Sequence, residues 1–195
     1  MDDINLNGIK IGYAVCGSFC TFEKAFSAAE KLKDCGALLT PIMSFNACSL
    51  NTRFGTAEGN KQKLETICGS KAICTIEDAE PIGPKNMFDI LIVSPCTGNT
   101  IAKLANGIID TPVTMAVKSH IRNHKPVVIA LSTNDALAGA AKNIGVLLNC
   151  KNYFFVPFTQ DDSTNKPRSL SADFSKTPEA AAYALKYIQI QPLVF

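Results

Sequence analysis

The chain of 195 residues is 47% hydrophobic and 18% charged and carries a formal net charge of +2. That much apolar material predicts one substantial core and a single domain spanning 1–195, while the small charge argues against nucleic acid or an anionic membrane surface as a partner. No apolar run is long enough to span a membrane, and the opening MDDINLNGIKIGYAV has no basic segment leading a long apolar one, so a soluble, cytoplasmic protein is expected.

In chain order, a first strand is predicted over Ile9 to Val15, then the turn Cys16, Gly17, Ser18, Phe19, Cys20 and Thr21. The helix after it carries Phe22, Ala25, Phe26, Ala29 and Leu32 on one face and closes at Gly36. Gly17 permits close backbone approach and Ser18 sets a hydroxyl near the helix start, a position where serine also serves as a plain cap. The GxGxxG spacing of a dinucleotide fingerprint is absent. A second strand, Ala37 to Met43, ends in Ser44, Phe45 and Asn46. The polar loop from Cys48 to Gly59 holds Arg53, whose planar fork suits a carboxylate or phosphate, although an arginine in such a loop is often simply solvated. Glu58 to Cys68 reads as a helix, and Ala79 to Asn86, with two prolines and a glycine, reads as a loop.

The stretch Phe88 to Asp110 is the one the rest of the chain is arranged to present. Ile90 to Val93 form the continuous apolar run of a strand buried on both faces of a parallel sheet, with an end expected at Ser94 and Pro95. Thr97, Gly98, Asn99 and Thr100 follow, then Ile101, Leu104, Ala105 and Ile108 at helical spacing with Gly107 near the helix end. Such a turn points hydroxyls, an amide and unpaired N–H groups into the crevice above the strand carboxyl ends.

Thr111 to Asn123 is predicted helical, with Val113, Ala116, Val117 and Ile121 on one face. Lys118, His120, Arg122, His124 and Lys125 gather at its end, where positive side chains suit the helix dipole. The two histidines are the only ones in the chain, and no carboxylate or cysteine stands nearby in sequence to make them a metal pair. The next strand, Val127 to Leu131, ends in Ser132, Thr133, Asn134 and Asp135, and a helix with Leu137, Ala140, Ala141, Ile144 and Leu148 inward follows. A last strand, Tyr153 to Pro157, leads into a polar loop with the composition of a mobile lid or an oligomer contact. The chain then closes as a helix from Thr177 to Ile190 with Ala181, Ala184, Leu185 and Ile188 inward. Three polar corners, at Gly17-Ser18, Ser94 to Thr100 and Ser132 to Asn134, converge on one crevice if the sheet is doubly wound.

Of the eight cysteines none forms a CxxC pair, so neither a disulfide framework nor a zinc site is expected and most read as small buried hydrophobes. Cys16 and Cys96 stand apart because each sits in a turn at a strand end.

The run SPCTGNTIAKLANGIIDTPVT, Ser94 to Thr114, resembles the P-A-S-A-N-T turn of the flavin-containing cysteine decarboxylases and its counterpart in related prenyltransferases. The Gly17-Ser18 turn and PVVIALSTND, Pro126 to Asp135, resemble the other two flavin-contacting turns of that superfamily. Within it, GYAVCGSFCTF, NTRFG, AEPIGPK and SPCTGNTIAKLANGI are most similar to the family of dipicolinate synthase B subunits.

The resemblance implies a Rossmann-like α/β fold, a doubly wound and mainly parallel sheet of about six strands with helices on both faces, in a single flavoprotein-like domain. It implies a homo-oligomer of trimers or multiples of trimers, working in the mother cell of a sporulating bacterium. Its partner would be the A subunit of dipicolinate synthase, which would carry NADP, and the pair would oxidise dihydrodipicolinate to dipicolinate. By the same resemblance Gly17, Ser18, Ser44, Pro95, Cys96, Thr97, Asn99, Thr100, Ser132, Thr133 and Asn134 would line a site for FMN. If this chain holds the hydride acceptor, the chemistry itself calls for Arg53 or Lys118 to neutralise the carboxylates of a dicarboxylate substrate. The chain departs from the cysteine decarboxylases in two places. Their catalytic histidine lies past the second strand, where Ser44 to Phe54 has none, and their P-x-M-N-x-x-M-W signature is reduced to Ala130 to Asp135. A stand-alone decarboxylase or prenyltransferase, and a non-catalytic assembly protein with a vestigial crevice, are the alternatives.

Overall fold

The computed structural model describes residues 4–195. Strands and helices alternate through the first two thirds: β1 (Lys10–Val15), α1 (Phe22–Asp34), β2 (Leu38–Met43), α2 (Phe45–Ser49), α3 (Ala57–Cys68), α4 (Ile76–Ala79), β3 (Ile90–Cys96), α5 (Gly98–Ala105), α6 (Pro112–Ile121) and β4 (Val127–Thr133). There follow α7 (Ala141–Leu148), β5 (Tyr153–Phe155), β6 (Phe158–Thr159), β7 (Leu170–Ala172) and α8 (Thr177–Ala184). The five parallel strands lie in the order β2-β1-β3-β4-β5, and β7 and β6 add antiparallel to the far half of β4, making a sheet of seven. Strand order therefore reverses at β1, and the crevice at this switch point lies between the carboxyl ends of β1 and β3.

Helices cover both faces because the strands alternate between two cores. Ile11, Tyr13 and Val15 of β1 pack with α1, α3 and α8, while Ala14 and Cys16 pack with Val93, Val117 and Ile129 on the opposite face. At Gly12 a Cβ would stand 2.6 Å from the Phe88 ring, so only glycine lets that ring lie flat on β1.

Several boundaries differ from the sequence reading, each for a local reason. β3 continues through Ser94 and Pro95 to Cys96, because proline lacks only a donor and its carbonyl still accepts from the Cys16 amide at 3.2 Å. β4 runs on to Thr133 because β7 supplies a partner for Ser132 and Thr133. The polar segment after β5 is thus partly strand, and Asp162 ties its turn by accepting from the Asn165 amide at 2.9 Å. Helical turns at Ile76–Ala79 and Glu80–Ile82 replace part of the loop expected before β3. α5 stops at a left-handed Gly107 whose neighbour Ile108 bonds back to the Lys103 carbonyl, leaving Ile108 exposed. α8 ends the same way at Tyr187 and Ile188, so Ile188 is exposed rather than inward. Turns on the Asp135 carbonyl delay α7 to Ala141, which turns Ile144 and Leu147 inward and leaves Leu137 and Leu148 outside.

The expectation of no disulfide is also corrected. Cys48 and Cys74 are bonded, 26 residues apart, because Ile73 bridges to Ile42 and carries Cys74 to the end of β2 where α2 begins. His120 is no surface cation either. It is buried, its Nε2–H donates to the Pro126 carbonyl at 3.1 Å, and burial lowers its pKa to about 4.

Candidate functional site

The three corners meet. At the first, the Ser18 amide closes a turn on the Cys16 carbonyl, and the Ser18 hydroxyl lies 2.8 Å from the Ser132 hydroxyl of the third corner. Thr21 joins them, its Oγ1 donating to the Ser18 carbonyl at 2.8 Å and standing 3.5 Å from Ser132 Oγ. Around the position a Gly17 Cβ would take, Asn46 of α2 and the Phe19 ring both stand at 3.5 Å, an ordinary contact, so this glycine relieves no clash.

At the second corner Thr97 caps α5 by accepting from the Thr100 amide at 3.2 Å. The Thr100 hydroxyl donates to Cys16 Sγ at 3.3 Å, joining the first two corners. Pro95 and Cys96 are buried beneath, while Asn99 is exposed and its side chain makes no hydrogen bond among the described residues. At Gly98 a Cβ would fall 2.6 Å from Thr133 Oγ1 and 2.9 Å from Asp135 Oδ1, so glycine is what lets the second corner close on the third. Thr133 donates to Asp135, and Asn134 is exposed with its Oδ1 accepting from Ser169 at 3.4 Å.

Not every expected residue belongs to this cluster. Ser94 points into the core, 3.0 Å from the Tyr13 phenol, and the Ser44 hydroxyl is used as the α2 cap, accepting from the Ala47 amide at 3.3 Å. Arg53 follows α2 on the carboxyl side of β2, exposed, with its guanidinium 4.8 Å from the centre of the Phe54 ring. Lys118 is not brought to the crevice. α6 runs back against the strand direction, so its last turns reach the amino end of β4, and Lys118 lies with Ile121 and Tyr153. His120 sits at that same end, so no imidazole faces the corners. Thr21, Asn46 and Asp135 were missed. Thr21 and Asp135 each flank a polar turn already singled out, whereas only the packing of α2 brings Asn46 to Gly17.

A cavity of about 590 Å³ lies elsewhere, between α1 and the β6–β7 segment, lined by Lys24, Ser27, Lys31, Ser171 and Ser175. In the crevice the donor chemistry suits a phosphate monoester over the Ser18, Thr21 and Ser132 hydroxyls, beside the half-buried backbone at Gly17. The Asp135 carboxylate disfavours an anion over Gly98 and suits instead a hydroxylated chain lying across the second and third corners. FMN presents both groups, a phosphate and a polyhydroxylated linker, so the residues fit it.

Fold and crevice together define a flavin-type doubly wound domain, and the chain belongs to the flavoprotein family, which matches residues 3–172. It is 44% identical over 190 residues to the dipicolinate synthase B subunit of Bacillus subtilis strain 168, across 97% of this chain and 95% of that one. The crystal structure of the dipicolinate synthase B subunit from Bacillus halodurans C superposes with a TM-score of 0.90 at 37% identity, covering 98% of both chains. The FMN-dependent cysteine decarboxylase SpaF shares the fold, with a TM-score of 0.71 at 22% identity over 93% of this chain and 97% of that one.

Proposed function

We propose that this chain is the B component of a dipicolinate synthase, binding FMN in the three-cornered crevice and acting with an A component that holds NADP to oxidise dihydrodipicolinate to dipicolinate. The observation that carries the reading is the 2.8 Å approach of Ser18 to Ser132, residues 114 apart in sequence, at the switch point of a chain 44% identical to such a protein. Its proposed setting is the cytoplasm of the mother cell during sporulation, as a homo-oligomer that is a trimer or a multiple of trimers.

Oxidising a dihydropyridine to an aromatic ring removes a hydride equivalent and a proton, which no side chain can accept, and a flavin when bound supplies that acceptor. The chain's own tasks are binding and placement. Ser18, Thr21 and Ser132 hold the phosphate, Asp135 and Thr133 accept from the linker hydroxyls, and the exposed amides of Asn99 and Asn134 bound the opening. Arg53, its guanidinium 4.8 Å from the centre of the Phe54 ring, meets a substrate carboxylate with its fork. Absence of an imidazole at the crevice disfavours the stand-alone decarboxylase chemistry.

The test is reconstitution with the A component, following dipicolinate formation with each cofactor omitted in turn. Loss of product on omitting flavin supports the reading. Full activity from flavin-free protein removes the cofactor and leaves a structural role.

A further inference from the structure

Beneath the three corners two thiols face each other across neighbouring strands. Cys16 follows β1 and Cys96 ends β3, and they are 1% and 0% exposed. The bond from the Cys16 amide to the Pro95 carbonyl keeps the two backbones paired at this level, although the ladder shifts register between Val93 and Cys96. Adjacent strands run about 4.8 Å apart and Cys96 lies one residue past Pro95, which sets the two Cα atoms roughly 6 Å apart, inside the about 4.4–6.8 Å that a disulfide spans.

The Thr100 hydroxyl donates to the Cys16 sulfur at 3.3 Å, and the Cys96 thiol, packed in the same apolar cluster, is directed to the Thr97 carbonyl at 3.9 Å. Interaction with Cys96, and then with Thr100 and the Thr97 backbone, draws the Cys16 thiol below its ordinary range against the opposing effect of burial, while burial and the neighbouring Cys16 push Cys96 up. A cysteine that serves only as a small hydrophobe needs no such donor set. A sulfur eased toward its thiolate and packed beside a second thiol on the neighbouring strand is what dithiol–disulfide chemistry requires.

We infer that Cys16 and Cys96 form a redox-active dithiol that closes to a disulfide, storing one electron pair directly under the proposed flavin crevice. On closure two S–H bonds break and one S–S bond forms. Two electrons and two protons leave, to an oxidised flavin above or to an azodicarboxamide oxidant supplied in the test, and the reverse transfer restores the thiols. Only the identity of the natural acceptor rests on the flavin reading.

The test begins with the unaltered chain, treated with diamide, unfolded, alkylated and mapped by mass spectrometry. A peptide pair linked through Cys16 and Cys96, restored to two alkylated thiols by dithiothreitol, is the expected result. Both thiols remaining fully alkylatable while exposed Cys20 and Cys150 are consumed would overturn the inference, with or without flavin. The second measurement uses FMN-loaded protein in a Cys48→Ser/Cys74→Ser background, pre-oxidised with diamide, desalted and titrated anaerobically with dithionite. Uptake of about four electrons per flavin is expected, against about two after Cys16→Ser. Equal uptake by both proteins would also overturn it. A chain that forms the Cys16–Cys96 bridge yet ignores added FMN would retire the flavin reading and leave the dithiol standing.

Discussion

Replacing Ser132 by alanine tests the crevice most directly. The substitution removes a hydroxyl 2.8 Å from Ser18 Oγ and 3.5 Å from Thr21 Oγ1, at a position only 8% exposed, and changes no backbone bond. A hydrogen bond to a charged group contributes about 1.5–3 kcal/mol, and each 1.4 kcal/mol is tenfold, so FMN affinity should fall by roughly 10- to 150-fold. Riboflavin, which lacks the phosphate, should bind the variant as it binds the parent. Both dissociation constants are read from quenching of flavin fluorescence. The lost pairing of two neutral hydroxyls should cost about 1 kcal/mol of folding stability, read from urea unfolding, which keeps the binding result interpretable. Equal weakening of FMN and riboflavin, or none of either, would refute the placement of a phosphate between the first and third corners.

Acid should destabilise the fold through His120. With its folded pKa lowered from 6.5 to about 4, the unfolded chain binds the extra proton between those values, so this contribution is complete above pH 6.5 and lost as pH falls. The loss reaches about 2 kcal/mol at pH 5, and urea midpoints across pH 7.5 to 5 should show a slope that His120→Gln flattens. Asp89 and Lys125 are the charged groups acting on the ring. Thr97→Ala should lower stability by about 1 kcal/mol through loss of the α5 cap, seen as a shifted thermal midpoint. Gly12→Ala should cost about 1–3 kcal/mol because the Phe88 ring lies 2.6 Å from the new methyl, and an unshifted midpoint would mean the ring swings aside cheaply. Arg53→Ala should raise KM for the dicarboxylate roughly fivefold, from about 1 kcal/mol at an exposed site, while FMN binding stays unchanged.

Much of this molecule is written locally. The apolar run at Ile90 to Val93 fixes a buried parallel strand, Thr97 before Gly98 fixes a helix start, and left-handed glycines at Gly36 and Gly107 follow the ends of their helices. Periodicity and capping act within a few residues, so one sequence suffices to read them, and three polar strand ends in a doubly wound order imply a shared edge. Pairing across long separations is of another kind. That Ser18 touches Ser132, that Cys48 reaches Cys74, that β7 extends β4 and that Asn46 lies against Gly17 all depend on which surfaces pack together. Lys118 shows the converse, since a cation attractive in the sequence is carried to the wrong end by the direction of its helix. Local spacing constrains torsions along the chain, whereas a site is made by distances across it, and only burial of the two cores sets those.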